Sequence, residues 1–256
     1  MESSAQSLRT ENTTSFYDQK PWLKKYLPEV RPHLDYPNEP LTYFLESAVK
    51  EFPHKTATVF FDGKLTYAQL WQDVQKFATF LASRGVQKGD RVGIMLPNCP
   101  QGVIAYYGTL LIGAVVVQFN PLYVEREIEY QLNDSGCVAM VIWDVLYPRL
   151  ENVGDKTPLK TVVTTGLQEY MGIPTKWLFP LKLKKEGKAV KILSKPGLFS
   201  WKEVMATTAP NPPKVDIEPG DLCLIQYTGG TTGVPKGAML SHRNLVANTL
   251  QVIEYM

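Results

Sequence analysis

The feature that most limits how this chain can fold is an alternation running from residue 91 to residue 143. Residues 91–96 are a short apolar run, 101–112 carry helical periodicity, 114–119 are β-branched, 125–135 are helical again, and 138–143 are apolar and β-branched. Runs of about six residues separated by helices of about a dozen leave little choice of architecture. Successive strands joined through helices pair in parallel by right-handed crossovers, which put helices on both faces of the sheet. The fold class expected is therefore α/β with a mostly parallel sheet. In such sheets ligands bind at the carboxyl ends of the strands, where loops lead into helices.

No charged residue lies between Arg91 and Glu125. The most apolar part, 102–117, is 16 residues long, short of the ~20 that a membrane-spanning helix needs. Turn-forming residues flank it (Asn98-Cys99-Pro100 before, Gln118-Phe119-Asn120-Pro121 after), so a buried helix followed by a buried strand is expected. With 44% hydrophobic residues and a net charge of +2, the 256 residues suit an ordinary globular core, and nothing in the charge calls for nucleic acid. Cys99, Cys137 and Cys223 are far apart and lack metal-ligand spacing, as do His33, His54 and His242, so buried reduced thiols and no metal site are expected. Residues 1–20 are polar and show no secretory signal, and a cytoplasmic location is expected.

Residues 1–40 are Pro-rich and read as an irregular arm; a domain is expected over 41–256. Within it, 41–52 and 67–84 have helical periodicity, the second ending at Gly85. Residues 56–61 and 64–66 read as a hairpin turning at Asp62-Gly63. Residues 176–191 carry six lysines against one glutamate, interleaved with Trp177, Leu178, Phe179, Leu181 and Leu183. A solvated excursion and a peripheral membrane contact, at the inner face of the membrane, are both open to that segment.

The segment that carries chemistry begins with the uncharged run 222–227 and continues as Thr228-Gly229-Gly230-Thr231-Thr232-Gly233-Val234-Pro235-Lys236-Gly237. Four glycines in these ten residues let backbone amides approach an anion, three threonines add hydroxyl donors, and Lys236 supplies a full charge. The pattern is not a Walker loop, because no Ser or Thr follows the lysine, and it is not G-x-G-x-x-G, because Gly229 and Gly230 are adjacent. A short strand over 238–240 and a helix capped by Ser241 follow. His242 reads as helix-end packing rather than as a catalytic group.

Tyr227 to Lys236 resembles the phosphate-binding signature of the adenylate-forming superfamily of acyl-CoA synthetases, luciferases and peptide-synthetase adenylation domains. Leu65-Thr66-Tyr67-Ala68-Gln69-Leu70 and the stretch from Leu111-Ile112-Gly113-Ala114 to Pro121 resemble two earlier elements of that family. Gln226-Tyr227-Thr228-Gly229-Gly230, Leu96-Pro97-Asn98-Cys99-Pro100-Gln101, Asn120-Pro121-Leu122-Tyr123, Glu129-Tyr130-Gln131-Leu132 and Lys20-Pro21-Trp22-Leu23 are most similar to bacterial long-chain fatty acid–CoA ligases. Gly229 stands where many other branches carry serine, and Val124 where relatives often carry a capping threonine.

The resemblance implies ATP-dependent activation of a fatty carboxylate to an acyl-adenylate, then transfer to CoA, with Mg2+ accompanying ATP. It implies that Thr228, Thr231, Thr232 and Lys236 hold phosphate oxygens, and that Gly229, Gly230 and Gly233 present amides to them. Members of the family continue well past the equivalent of Met256, so an incomplete N-terminal AMP-binding domain, inactive alone, is expected, with no catalytic or metal residue assigned within it. The residues leave open an aryl- or other-carboxylate-activating CoA ligase, a non-catalytic ATP- or lipid-binding remnant, and a homodimer.

Overall fold

The computed structural model describes residues 17–229 and 234–256. Contacts divide the chain into two units, one made of the residues up to Pro37 with Ala247–Met256, the other Asn38–Val246. In the small unit a 3-10 turn spans Pro21–Lys25, Val30 is buried, and the Arg31 guanidinium grips the Glu254 carboxylate through contacts of 2.6–3.1 Å.

The large unit opens with α1 (Thr42–Glu51), the hairpin of β1 (Thr56–Phe60) and β2 (Gly63–Thr66), and α2 (Tyr67–Ser83). The hairpin turns one residue earlier than the sequence suggests. Phe60 pairs with Gly63, which leaves Phe61 and Asp62 in the loop with φ of 44° and 66°. That is the pair of positive values a two-residue turn requires. Gly63 is needed in the strand instead, because a Cβ there would run into the Tyr170 carbonyl oxygen. Close backbone approach outranks the turn's own preference for glycine. Thr66 starts α2 with a reciprocal cap: its Oγ1 accepts from the Gln69 N–H at 3.2 Å, and Gln69 Oε1 accepts from the Thr66 N–H at 2.9 Å.

Then comes the alternation: β3 (Arg91–Met95), α3 (Pro100–Leu111), β4 (Val115–Gln118), α4 (Glu125–Ser135) and β5 (Cys137–Trp143). Gly85, Gly113 and Gly136 follow their helices with positive φ. The chain continues through α5 (Tyr147–Glu151), β6 (Thr161–Thr165), α6 (Thr175–Lys185), β7 (Leu198–Ser200) and α7 (Trp201–Thr207). It ends with β8 (Leu222–Thr228), β9 (Lys236–Ser241) and α8 (His242–Glu254). The main sheet has seven strands in the order β7-β6-β5-β3-β4-β8-β9, parallel except for β9, which returns antiparallel to β8.

The order fixes where the faces and the crevice lie. The chain steps from β3 to β4 on one side, then back across β3 to β5 on the other. Two right-handed crossovers in opposite directions put α3 and α4 on opposite faces. On the α4 face, Met95, Val117, Met140, Ile142 and Ile225 pack with Ile128 and Leu132. Against α3 lies α2, whose Phe77 ring stacks on Trp201 at 5.3 Å. Burying each of these side chains contributes roughly 1.5–3 kcal/mol before the entropy of ordering it. The apolar stretch 102–117 is therefore interior, as expected, and among the described residues no helix is long and apolar enough to cross a membrane.

Candidate functional site

A sheet of this order has a crevice where the loops after β3 and β4 diverge to opposite faces, and that is where such folds bind ligands. On the α3 face the crevice opens into a cavity of about 520 Å³ lined by Leu96, Asn98, Cys99, Tyr106, Tyr107 and Gln118, with Thr58 and Phe60 of β1 at its edge. Gln118 is in register with Gln226 of β8. Alternation along β8 sends Ile225 and Tyr227 into the α4-side core, leaving Gln226 and Thr228 exposed on the other face.

Thr228 pairs directly with Lys236, and both side chains are exposed. Directly opposed residues of an antiparallel pair share a face, so a hydroxyl and an ammonium stand together at the mouth of the loop that joins β8 to β9. Lys236 thus opens β9 and is not a loop residue; β9 begins two residues earlier than the sequence suggests. Gly229 is exposed beside Thr228. Gly230, Thr231, Thr232 and Gly233 lie outside the described residues. Gly237 has a packing reason for lacking a side chain: a Cβ there would come within 2.6 Å of Ile225 Cγ2 and 3.2 Å of the Tyr227 ring.

Both ends of the loop are tied to α4. Before it, the Tyr227 hydroxyl donates to the Asp134 carboxylate. Burial, with that carboxylate as acceptor, pushes the Tyr227 hydroxyl's pKa well above its usual range, so it stays a donor. After the loop, the Tyr130 hydroxyl donates to the Pro235 carbonyl at 3.1 Å. Residues four apart share one side of a helix, so Tyr130 and Asp134 act from the same face. Gln131 adds a third tie, its Nε2 donating to the Gln118 carbonyl at 2.8 Å. In the sequence, Tyr130 and Asp134 show only as an i, i+4 pair opposite the buried Ile128 and Leu132, and their partners across the fold are not visible there. Val124 lacks a capping side chain, and the helix start is satisfied from inside, the Glu127 carboxylate accepting from the Val124 N–H at 2.9 Å.

His242 is fully buried, and its Nδ1 accepts from the Leu41 N–H at 3.1 Å. Burial pulls its pKa down to about 4, so the ring is neutral near pH 7 and holds the start of α1. Ser241 and Asn244 cap α8 reciprocally, Asn244 N–H to Ser241 Oγ at 3.3 Å and Ser241 N–H to Asn244 Oδ1 at 2.9 Å. The packing role expected of His242 and the cap expected of Ser241 both hold. Cys99, Cys137 and Cys223 are free and buried, with thiol pKa values raised by burial to about 11, 12 and 12, which makes them poor nucleophiles. Among the described residues no three His, Cys, Asp or Glu side chains are grouped to hold a metal ion.

With this geometry in view, the comparisons with known proteins agree. The model of the family described as AMP-binding enzyme matches residues 45–256. The chain is 40% identical over 243 residues to the long-chain-fatty-acid–CoA ligase of Bacillus subtilis (strain 168), which covers 93% of this chain and 43% of that protein. It is 36% identical over 236 residues to the Escherichia coli O157:H7 protein of the same name, covering 91% and 42%. The crystal structure of a long-chain-fatty-acid-CoA ligase from Archaeoglobus fulgidus superposes with a TM-score of 0.67 at 29% identity, over 86% of this chain and 40% of that one. The chain spans less than half the length of the curated relatives it matches. The family match runs over 45–256 and includes the crevice and the loop; the chain belongs to the AMP-binding enzyme family.

Proposed function

We propose that the protein is a long-chain fatty acid–CoA ligase, and that residues 41–256 belong to its AMP-binding domain, with 1–40 as an arm. The observation that carries the reading is the Thr228–Lys236 pair, exposed at the mouth of a glycine- and threonine-rich loop beside the crevice. The names of the relatives supply the substrate class. In the first step a fatty carboxylate oxygen attacks the α-phosphorus of ATP and pyrophosphate leaves, giving the acyl-adenylate. In the second, the CoA thiol attacks the acyl carbonyl and AMP leaves.

The work of this chain is to position phosphate. Lys236 sets its charge against the β- and γ-phosphate oxygens, Thr228, Thr231 and Thr232 donate hydroxyls, and Gly229, Gly230 and Gly233 present amides. Such fixed donors act through orientation and charge stabilisation rather than covalent chemistry. Magnesium neutralises phosphate charge when bound with ATP, and it enters the reading only with the nucleotide. A peripheral contact with the inner face of the membrane would bring such an enzyme to its acyl substrate.

The test is ATP–pyrophosphate exchange by the full-length protein across carboxylates from acetate to oleate and coumarate. Exchange that rises with chain length supports the reading. A preference for coumarate moves the protein to the aryl-activating ligases, and no exchange with any carboxylate overturns adenylation.

A further inference from the structure

We propose that α6 is a docking surface for anionic lipid. The helix is apolar on two opposite sides. Inward, Leu183 is buried, and Phe179 and Thr175, four and eight residues before it, are half-buried. Outward, Trp177, Leu178 and Leu181 are exposed by 66%, 58% and 63%, and Ile173, just before the helix, by 67%. Scattered exposed apolar residues are ordinary, but four large ones within nine residues form a patch, and a patch of that kind marks an interaction surface.

The charge around the patch selects its occupant. Lys182, Lys184 and Lys185 occupy the last turns of α6, and Lys188 and Lys191 follow. Glu186, the one acidic residue from 176 to 191, is held by Lys188 at 2.8 Å and Lys182 at 3.9 Å. Among the described residues, Lys184, Lys185 and Lys191 form no ion pair. A second copy docking on this face would set lysine against lysine. An anionic bilayer meets both halves: Trp177, Leu178 and Leu181 enter the head-group boundary while the lysines rest on the charged surface. The surface requires neither ATP nor a fatty acid, so it stands or falls apart from the ligase reading.

The experiment is sedimentation of the full-length protein with phosphatidylcholine vesicles, with and without phosphatidylglycerol. Binding is expected only with phosphatidylglycerol, and raising the salt should release it. Lys182→Glu/Lys184→Glu/Lys185→Glu should weaken partition on the order of a hundredfold, each lysine near an anionic surface contributing about fivefold. Trp177→Ser/Leu181→Ser should weaken it at unchanged charge, with the circular dichroism of the fold retained. Equal binding to neutral vesicles, or binding that both variants retain, overturns the proposal. So does sizing that shows a dimer which these variants dissociate, because the face would then belong to another copy.

Discussion

Helices α4 and α6 are each 11 residues long, yet they use their sequences in opposite ways. The first looks unpromising, with Glu125, Arg126, Glu127, Glu129 and Asp134 leaving few apolar residues. It nevertheless buries Ile128, Gln131, Leu132 and Ser135; Gln131 bonds to β4, and Tyr130 and Asp134 reach the two ends of the β8–β9 loop. The second is richer in large apolar residues and buries only Leu183. In α4 the apolar residues sit at i and i+4, so a narrow stripe meets the core and the polar groups are free to position something else. In α6 the apolar residues surround the axis, and those the core does not cover face outward. Apolar content therefore says less about which helix anchors a site than the placement of each residue around its axis.

The largest effect that tests the contrast is a comparison of two lysines. Lys236→Ala should lower ATP–pyrophosphate exchange in the full-length protein by about a thousandfold or more, the scale of losing one charged contact in a water-excluding site. Lys184→Ala on α6 should leave exchange unchanged. Equal effects of the two would mean that the loop held by α4 has no special standing.

Next in size is a pair of truncations. Leu132→Ala on α4 removes a fully buried side chain, and denaturant unfolding should show a loss of about 2–5 kcal/mol. Leu181→Ala on α6, at 63% exposure, should fall within about 0.5 kcal/mol of the parent. A large loss at Leu181 would place it in a core and remove the patch.

The anchored side of the molecule should also sense acid. His242 has a pKa of about 4 in the fold against an ordinary value of 6.5. Between those values the unfolded chain binds the extra proton, so stability from the neutral ring is complete above pH 6.5 and drains away as pH falls towards 4. The loss should reach roughly 2 kcal/mol. Protonation removes the acceptor for the Leu41 N–H, which gives the loss a geometric cause. In His242→Asn, the difference in stability between pH 7 and pH 4.5 should shrink by about that amount. Replacing the lysines of α6 should leave the difference unchanged.

These contrasts also mark how far the residues alone could be read. The helices and parallel strands from Arg91 to Trp143 were legible because strand and helix periods alternate cleanly and glycine follows each helix. The loop was legible because glycine, threonine and lysine are rarely combined so densely. Residues 144–220 were not read as elements, although β6 is the β-branched run Thr161-Val162-Val163-Thr164-Thr165. One strand of five residues and one of three, spaced by short helices and 3-10 turns, leave too little periodicity to count. The hairpin turn slipped by a residue because the demand on Gly63 comes from Tyr170, 107 positions away. For the same reason the hold of α4 on the loop could not be read: Tyr130 and Pro235 are 105 residues apart.

That hold yields the smallest effect and the finest test. Tyr130→Phe removes one hydroxyl bonded to a carbonyl near the surface, a change of about 0.5–1.5 kcal/mol. Denaturant unfolding should barely register it. The loop should register it, because freeing the Pro235 end widens the range of positions open to Lys236 next door. The KM for ATP should rise about threefold, with KM for the carboxylate unchanged. Asp134→Asn keeps a weaker acceptor for the Tyr227 hydroxyl at the other end and should act in the same direction. If α4 holds the loop as one clamp, the two substitutions together should fall short of the product of their separate effects, since either one already frees the loop. Strictly multiplicative effects would mean two independent contacts, and α4 would then differ from α6 only in what it buries.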